Sequence, residues 1–276
     1  MAKGPEERIQ IRRVEAGAAH YTTDVLAAEE PMELRIVYGP ANNRILKNLS
    51  VTMRTPGDDA ALATGFLFTE GIITAQADVL QTYTLPYDEN IVVVELSENL
   101  QPDLAKLERH FYTTSSCGVC GKSSIDAVRT VKSPTVAQEG TPVMAGIFYG
   151  LPDKLRAQQD VFETTGGLHA SALFDREGNF KLLQEDVGRH NALDKVIGAA
   201  LASDMLPLDS CILLLSGRAS FELIQKAAMA GIKIVAAVGA PSGLAVQLAI
   251  EFDITLIGFL RGNRFNIYTG TERVIV

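Results

Sequence analysis

Two differently patterned halves predict an α/β protein preceded by a smaller α+β part. In the second half, 211–215, 233–238 and 253–260 are apolar runs rich in β-branched residues, and helical stretches 221–230 and 243–252 lie between them. That alternation predicts βαβ units around a mostly parallel sheet covered on both faces. In the first half the strand-like runs alternate apolar with polar residues, as half-buried strands do. The 276 residues, 47% hydrophobic and 21% charged, suffice for one large domain or two smaller ones. We expect an N-terminal α+β domain over 1–112 and an α/β domain over 113–276.

The first 30 or so residues are polar and without clear period, and are expected to form an arm or an edge strand. Alternation at 33–38 and 49–54 predicts two strands. Gly57-Asp58-Asp59 ahead of the apolar 60–68 predicts a helix start, with acidic residues at the positive end of the dipole. A strand at 91–96 closes this half. Farther on, 168–174 and 180–183 predict a hairpin whose turn is 175–179.

The net charge of -8 excludes a general nucleic-acid binder, because phosphate backbones reward dense Lys/Arg patches. A local basic site for one anionic ligand remains compatible with it. No apolar run approaches the roughly 20 residues of a membrane span, and the start, Met1 to Glu7, lacks the apolar core of a signal peptide. The expectation is a cytoplasmic protein with no membrane partner. Three cysteines do not make a disulfide scaffold, and Cys211, inside an apolar run, reads as a small buried hydrophobe.

The other two cysteines carry the chemistry. Thr113-Thr114-Ser115-Ser116-Cys117-Gly118-Val119-Cys120-Gly121-Lys122 sets Cys117 and Cys120 on glycines beside a cation. A Cys-x-x-Cys pair has three readings: half of a zinc site, a dithiol couple, or a nucleophile with a helper thiol. Structural zinc needs two further ligands from His20, His110, His169 or His190, which form no close pair. A redox couple ordinarily follows an apolar strand, and a Ser/Thr run precedes these cysteines instead. For the nucleophile, a helix expected from Ser123 offers free backbone N–H groups and a positive dipole end, which favour thiolate over thiol.

Four polar clusters in the second half suggest an anion site. Glu185-Asp186-Val187-Gly188-Arg189-His190-Asn191-Ala192-Leu193-Asp194-Lys195 follows a strand and places His190 with Asp194, and Asn191 with Lys195, four apart on a helix. Their bland alternative is a helix cap with solvated pairs. Ser216-Gly217-Arg218 also leaves a strand and opens a helix, offering backbone and hydroxyl donors with an arginine counter-charge. Val238-Gly239-Ala240-Pro241-Ser242-Gly243 repeats that logic one unit later, so two neighbouring strand ends should form a ligand crevice. Lastly, Phe259, Leu260, Arg261, Gly262, Asn263 and Arg264 bring arginines, an asparagine and an aromatic ring together, suited to phosphate and a stacked base.

These motifs, with Phe68-Thr69-Glu70-Gly71-Ile72-Ile73 and Thr165-Gly166-Gly167-Leu168-His169, together resemble the formate dehydrogenase accessory sulfurtransferases, the FdhD/NarQ family. The resemblance runs from about residue 30 to the end. It implies a sulfurtransferase: a sulfur carrier between a cysteine desulfurase and the molybdenum or tungsten bis(molybdopterin guanine dinucleotide) of apo formate dehydrogenase. Cys117 matches the persulfide-forming cysteine and Cys120 the second loop cysteine. Residues 259–264 match the cofactor-binding region, where a guanine nucleotide such as GDP is expected to fit, and no resident metal is implied. The family fold is a cytidine deaminase-like α/β/α sandwich with a smaller α+β part, usually homodimeric. Deaminases place His-x-Glu ahead of Cys-x-x-Cys, whereas here the cysteines come first and His169-Ala170-Ser171 lacks the glutamate. A cofactor-binding chaperone without sulfur transfer and a zinc-dependent deaminase are the competing readings.

Overall fold

The computed structural model describes residues 4–103 and 141–276. The expected boundary near 112, the cysteine loop and the helix after it lie outside the described residues. The chain begins with a hairpin of β1 (Glu6–Glu15) and β2 (Ala18–Ala27), paired antiparallel from Glu6↔Ala27 to Glu15↔Ala18. Its turn, Ala16-Gly17, holds φ values of 48° and 84°, the two positive angles that match a two-residue turn to the strand twist. The expected single arm or edge strand is therefore a two-stranded arm, exposed along most of its length.

A four-stranded sheet follows in the order β4-β3-β6-β5, from β3 (Glu30–Tyr38), β4 (Ile45–Arg54), β5 (Val79–Leu85) and β6 (Asp88–Leu96). Its inner positions, among them Met32, Leu34, Ile36, Val92 and Val94, are buried against α1 (Asp59–Thr69). Arg54, 2% exposed, closes this layer with a bidentate ion pair to Asp59 at 2.9 Å.

The central sheet has the order β13-β12-β11-β10-β8-β9. Its strands are β8 (His169–Asp175), β9 (Phe180–Asp186), β10 (Cys211–Leu215), β11 (Ile234–Ala237), β12 (Thr255–Arg261) and β13 (Arg264–Thr269). The expectation of a mostly parallel sheet is corrected. Only the central pairings β10–β11 and β11–β12 are parallel, and β8, β9 and β13 flank them antiparallel. The two hairpins explain this: short turns at 176–179 and 262–263 leave no room for a crossover.

Both faces of this sheet are covered, and β10 shows how. Leu213 and Leu215 join a core with Leu193, Val196, Ile197 and Ile224. Those residues belong to α5 (Arg189–Ala202) and α6 (Phe221–Met229). Ile212 and Leu214 point the other way, onto Phe148 of α2 (Ala145–Tyr149) and Leu151 and Leu155 of α3 (Leu151–Arg156). The period of two sends alternate side chains to opposite faces. Helix α4 (Asp160–Thr165) leads into β8, α7 (Gly243–Glu251) joins β11 to β12, and a short parallel pair of β7 (Val143–Met144) and β14 (Val274–Ile275) completes the fold.

Helix α1 joins the two layers by lying against α5. A Cβ at Gly65 would stand 1.8 Å from the carbonyl oxygen of Asp194, and one at Gly198 would stand 1.9 Å from that of Ala61. Only glycine admits so close an approach. Cys211 is 7% exposed, and burial pushes its thiol up, as a small core residue requires.

Candidate functional site

The carboxyl ends of β10, β11 and β12 gather the polar turns that the sequence singles out. Two neighbouring parallel strands deliver them to one edge, so their following turns run side by side. Gly239 N–H donates to the Gly217 carbonyl at 2.9 Å, Ala219 bridges Pro241, and Phe259 N–H donates to the Gly239 carbonyl at 3.0 Å. Gly239 lacks the side chain that would collide with the Gly217 carbonyl, at 2.9 Å, and with Arg218. Helices α6 and α7 begin here, with Ser220 and Ser242 as caps, and the Ser242 hydroxyl accepts from Ala245 N–H.

Antiparallel β8 and β9 bring a second set of groups to the same edge. His169, the first residue of β8, lies beside Gly217, where a Cβ would come within 3.3 Å of its Nδ1. Ser216 extends the β8–β10 ladder, its N–H donating to the Ala170 carbonyl and its hydroxyl accepting from Ala170 N–H at 2.8 Å. His169, Ser216 and Val238 form one wall of a cavity of about 520 Å³. The rest is formed by α3, including Asp153 and Arg156, by Gln159, by Phe162 of α4, and by the Gly166-Gly167-Leu168 turn. Glu185 fixes that opposite wall by accepting from Val161 and Phe162 N–H at the start of α4.

The electrostatics favour an anion. Burial, then the neighbouring Arg189, His190 and Arg218, hold His169 below the ordinary imidazole range, although Asp186 acts the other way. Burial pushes Glu222 up, but hydrogen bonds from His190, its own backbone N–H and Ser220, with the charge of His190, together outweigh this and keep the carboxyl below its usual range. His190 Nε2 lies 3.4 Å from both Glu222 Oε2 and Ser220 Oγ. Glu and Ser share one ring nitrogen, so this is not the relay of a serine hydrolase, in which they sit on opposite nitrogens.

The cluster from Glu185 to Lys195 divides between site and scaffold. Asp186, fully buried, accepts from Thr55 N–H, Gly188 N–H, the Asn191 amide and the Lys195 ammonium, the last at 2.8 Å. Asp194 is clasped by Lys226 at 2.8 and 2.9 Å and by the Thr69 hydroxyl. Burial opposes the charge of Lys226, and Asp194 and Glu70 more than offset it, so its pKa lies above the ordinary lysine range. These residues tie α5 to the first half, leaving Arg189 and His190 at the edge.

The β12–β13 hairpin brings Arg261 opposite Arg264 across the Gly262-Asn263 turn, with all four exposed. Leu260 instead points into the second core and is fully buried, while Phe259 is 38% exposed. Phe259 holds φ at 55° inside a bulge, a conformation costing a non-glycine residue roughly 1–2 kcal/mol. Cys117 and Cys120 lie outside the described residues, and among the described residues no cluster of His, Cys, Asp or Glu has the arrangement of a metal site.

The FdhD/NarQ family model matches residues 27–275. The chain belongs to the FdhD/NarQ family. Relatives named sulfur carrier protein FdhD include one from Streptomyces coelicolor, 50% identical over 97% of this chain and 95% of its own. Another, from Sulfurisphaera tokodaii, is 40% identical over 98% of this chain and 99% of its own. The fold is shared with a solved structure from Desulfotalea psychrophila described as a candidate formate dehydrogenase accessory protein, at 20% identity and a TM-score of 0.74 over 98% and 99% of the chains. In this FdhD/NarQ chain the β1–β2 arm lies almost wholly ahead of the family match.

Sequence reasoning missed Arg156, Gln159 and Phe162 as lining residues of the FdhD/NarQ cavity, because they lie on two short helices and the link between them, without a local motif. His169 carries a signal, its Gly-Gly-Leu-His turn. Read alone, however, it suggests only a metal ligand.

Proposed function

We propose that this chain is a sulfur carrier that takes sulfur from a cysteine desulfurase, holds it as a persulfide on Cys117, and passes it to the bis(molybdopterin guanine dinucleotide) cofactor of formate dehydrogenase. The observation that carries this is identity of 50% across nearly the full chain with a relative named as a sulfur carrier. The edge at the strand ends agrees with it. A guanine dinucleotide brings phosphates and purines, and Arg218, Arg261 and Arg264, the two helix starts and Phe259 offer the donors and ring that such a molecule requires.

In the first step the Cys117 thiolate attacks the outer sulfur of the desulfurase persulfide, and the desulfurase cysteine leaves as a thiolate, so no net oxidation occurs. In the second, Cys120 attacks the inner sulfur of the Cys117 persulfide, forming a Cys117–Cys120 disulfide and releasing hydrosulfide to the metal centre. Ser216, Gly217, Arg218 and His190, with residues 259–264, hold the cofactor as substrate. Reduction of the disulfide by a cellular thiol resets the carrier. We further read the two-faced sheet as a cytidine deaminase-like sandwich and the molecule as a cytoplasmic homodimer serving apo formate dehydrogenase.

The test is formate dehydrogenase activity in cells carrying only a Cys117→Ala chain. A sulfur carrier predicts loss of nearly all activity with normal levels of the variant protein. Retention of most activity would show a cofactor chaperone instead.

A further inference from the structure

His169 is the titratable group of the cavity that the sulfur-transfer reading leaves without a task. Its ring is half-buried in the wall shared with Ser216 and Val238, and among the described residues no side chain or backbone group hydrogen-bonds to it. Gly217 leaves Nδ1 uncovered, since even one methyl group there would press to 3.3 Å. A half-buried polar ring so placed, beside the turn with the free donors, can take a polar partner from a ligand in the cavity.

The charges facing it come from several elements. Arg189 and His190 lie on α5, Arg218 on the turn after β10, and all three disfavour a proton on His169. Asp186 on β9 favours one, but four donors already occupy it. Across the cavity stand Asp153 and Arg156 of α3. Arg189 also keeps its Nε buried without a hydrogen bond among the described residues. Glu222, beside His190, is a carboxylate at this edge, and its Oε1 is likewise buried without a hydrogen bond among the described residues; the groups facing His169 itself are mainly Arg189, His190 and Arg218.

We propose that His169 is a further ligand-binding residue of this site, which meets a phosphoryl oxygen beside Gly217 and takes up a proton from solvent as the ligand enters. The proposal rests on the guanine-nucleotide reading above. Burial chiefly, and then the neighbouring Arg189, His190 and Arg218, hold the ring low; an anion between His169 and the arginines opposes both effects, so it raises the ring's proton affinity and lets the imidazolium donate to the phosphate. Linkage gives the sign. The ring is held low when the site is empty and raised when it is filled, so binding consumes protons between those two values. Affinity is high on the acid side, falls as pH rises through that window, and is flat outside it.

The experiment is calorimetric titration of the full chain with GDP from pH 6 to 8, in buffers of different ionisation enthalpy, for the wild type and His169→Gln. GDP's terminal phosphate titrates near pH 6 in both, at about the second phosphate pKa, and cancels in the comparison. The wild type should take up extra protons and bind on the order of tenfold tighter at pH 6 than the variant, one pKa unit being about tenfold, with the difference vanishing near pH 8. A ring-proton NMR titration of the wild type needs no variant, and should show His169 titrating at higher pH with GDP bound. Equal proton uptake in both proteins, or an unshifted ring, overturns the role of His169 and leaves the nucleotide reading standing. Failure of GDP to bind the wild type overturns both.

Discussion

Asp186 takes hydrogen bonds from four groups and is fully buried, and this makes it the hinge between sequence and site. It holds Thr55 from the first half against Gly188, Asn191 and Lys195 at the exit of β9. Lys195 is itself 2% exposed and also donates to the Thr55 carbonyl at 2.9 Å. Removing one partner of such a buried pair strands the other. Asp186→Asn should therefore cost about 3–5 kcal/mol in urea unfolding, whereas a change below about 1 kcal/mol would show that Lys195 is compensated elsewhere. Local spacing predicts different partners, pairing His190 with Asp194 and Asn191 with Lys195. The fold pairs Asp194 with Lys226 and Lys195 with Asp186. Both side chains point beneath α5, where neighbours arrive from other elements, and no i,i+4 rule sees those.

At the scale of elements, what the sequence makes legible follows how locally each one is determined. Strands β10, β11 and β12 and helices α6 and α7 sit within a residue or two of their expected positions, since apolar runs between turn signals leave few choices. The β1–β2 arm has no such signal. Its strands bury little, and its turn is Ala-Gly rather than Asn-Gly. The contact between α1 and α5 is equally silent in the sequence, because Gly65 and Gly198 are 133 positions apart and each reads alone as a weak helix former. The contact makes a sharp prediction. Gly65→Ala must push α1 off α5, costing about 3 kcal/mol and lowering the thermal midpoint by on the order of 10 °C. An unchanged midpoint would mean that the helices do not approach as closely as Gly65 implies.

Across the whole molecule, an acidic chain of net charge -8 concentrates arginines and histidines at one edge. Acidity elsewhere disfavours nonspecific polyanions, and a local cluster of arginines is what the proposed anionic ligand requires. The sequence shows this edge in pieces, at 189–190, 216–218 and 259–264. Only the sheet order, with β8 and β9 folded back antiparallel, adds His169 and the cavity to it. No helix among the described residues is long and apolar enough to cross a membrane.

The central claim is that this edge serves sulfur carried on Cys117. Its most direct test is mass spectrometry of the protein after incubation with a cysteine desulfurase and cysteine. A sulfur carrier should show an increment of about 32 Da, one sulfur atom, on the peptide containing Cys117, removed by a reducing thiol. A Cys117 peptide of unchanged mass under conditions that load the desulfurase itself would contradict it.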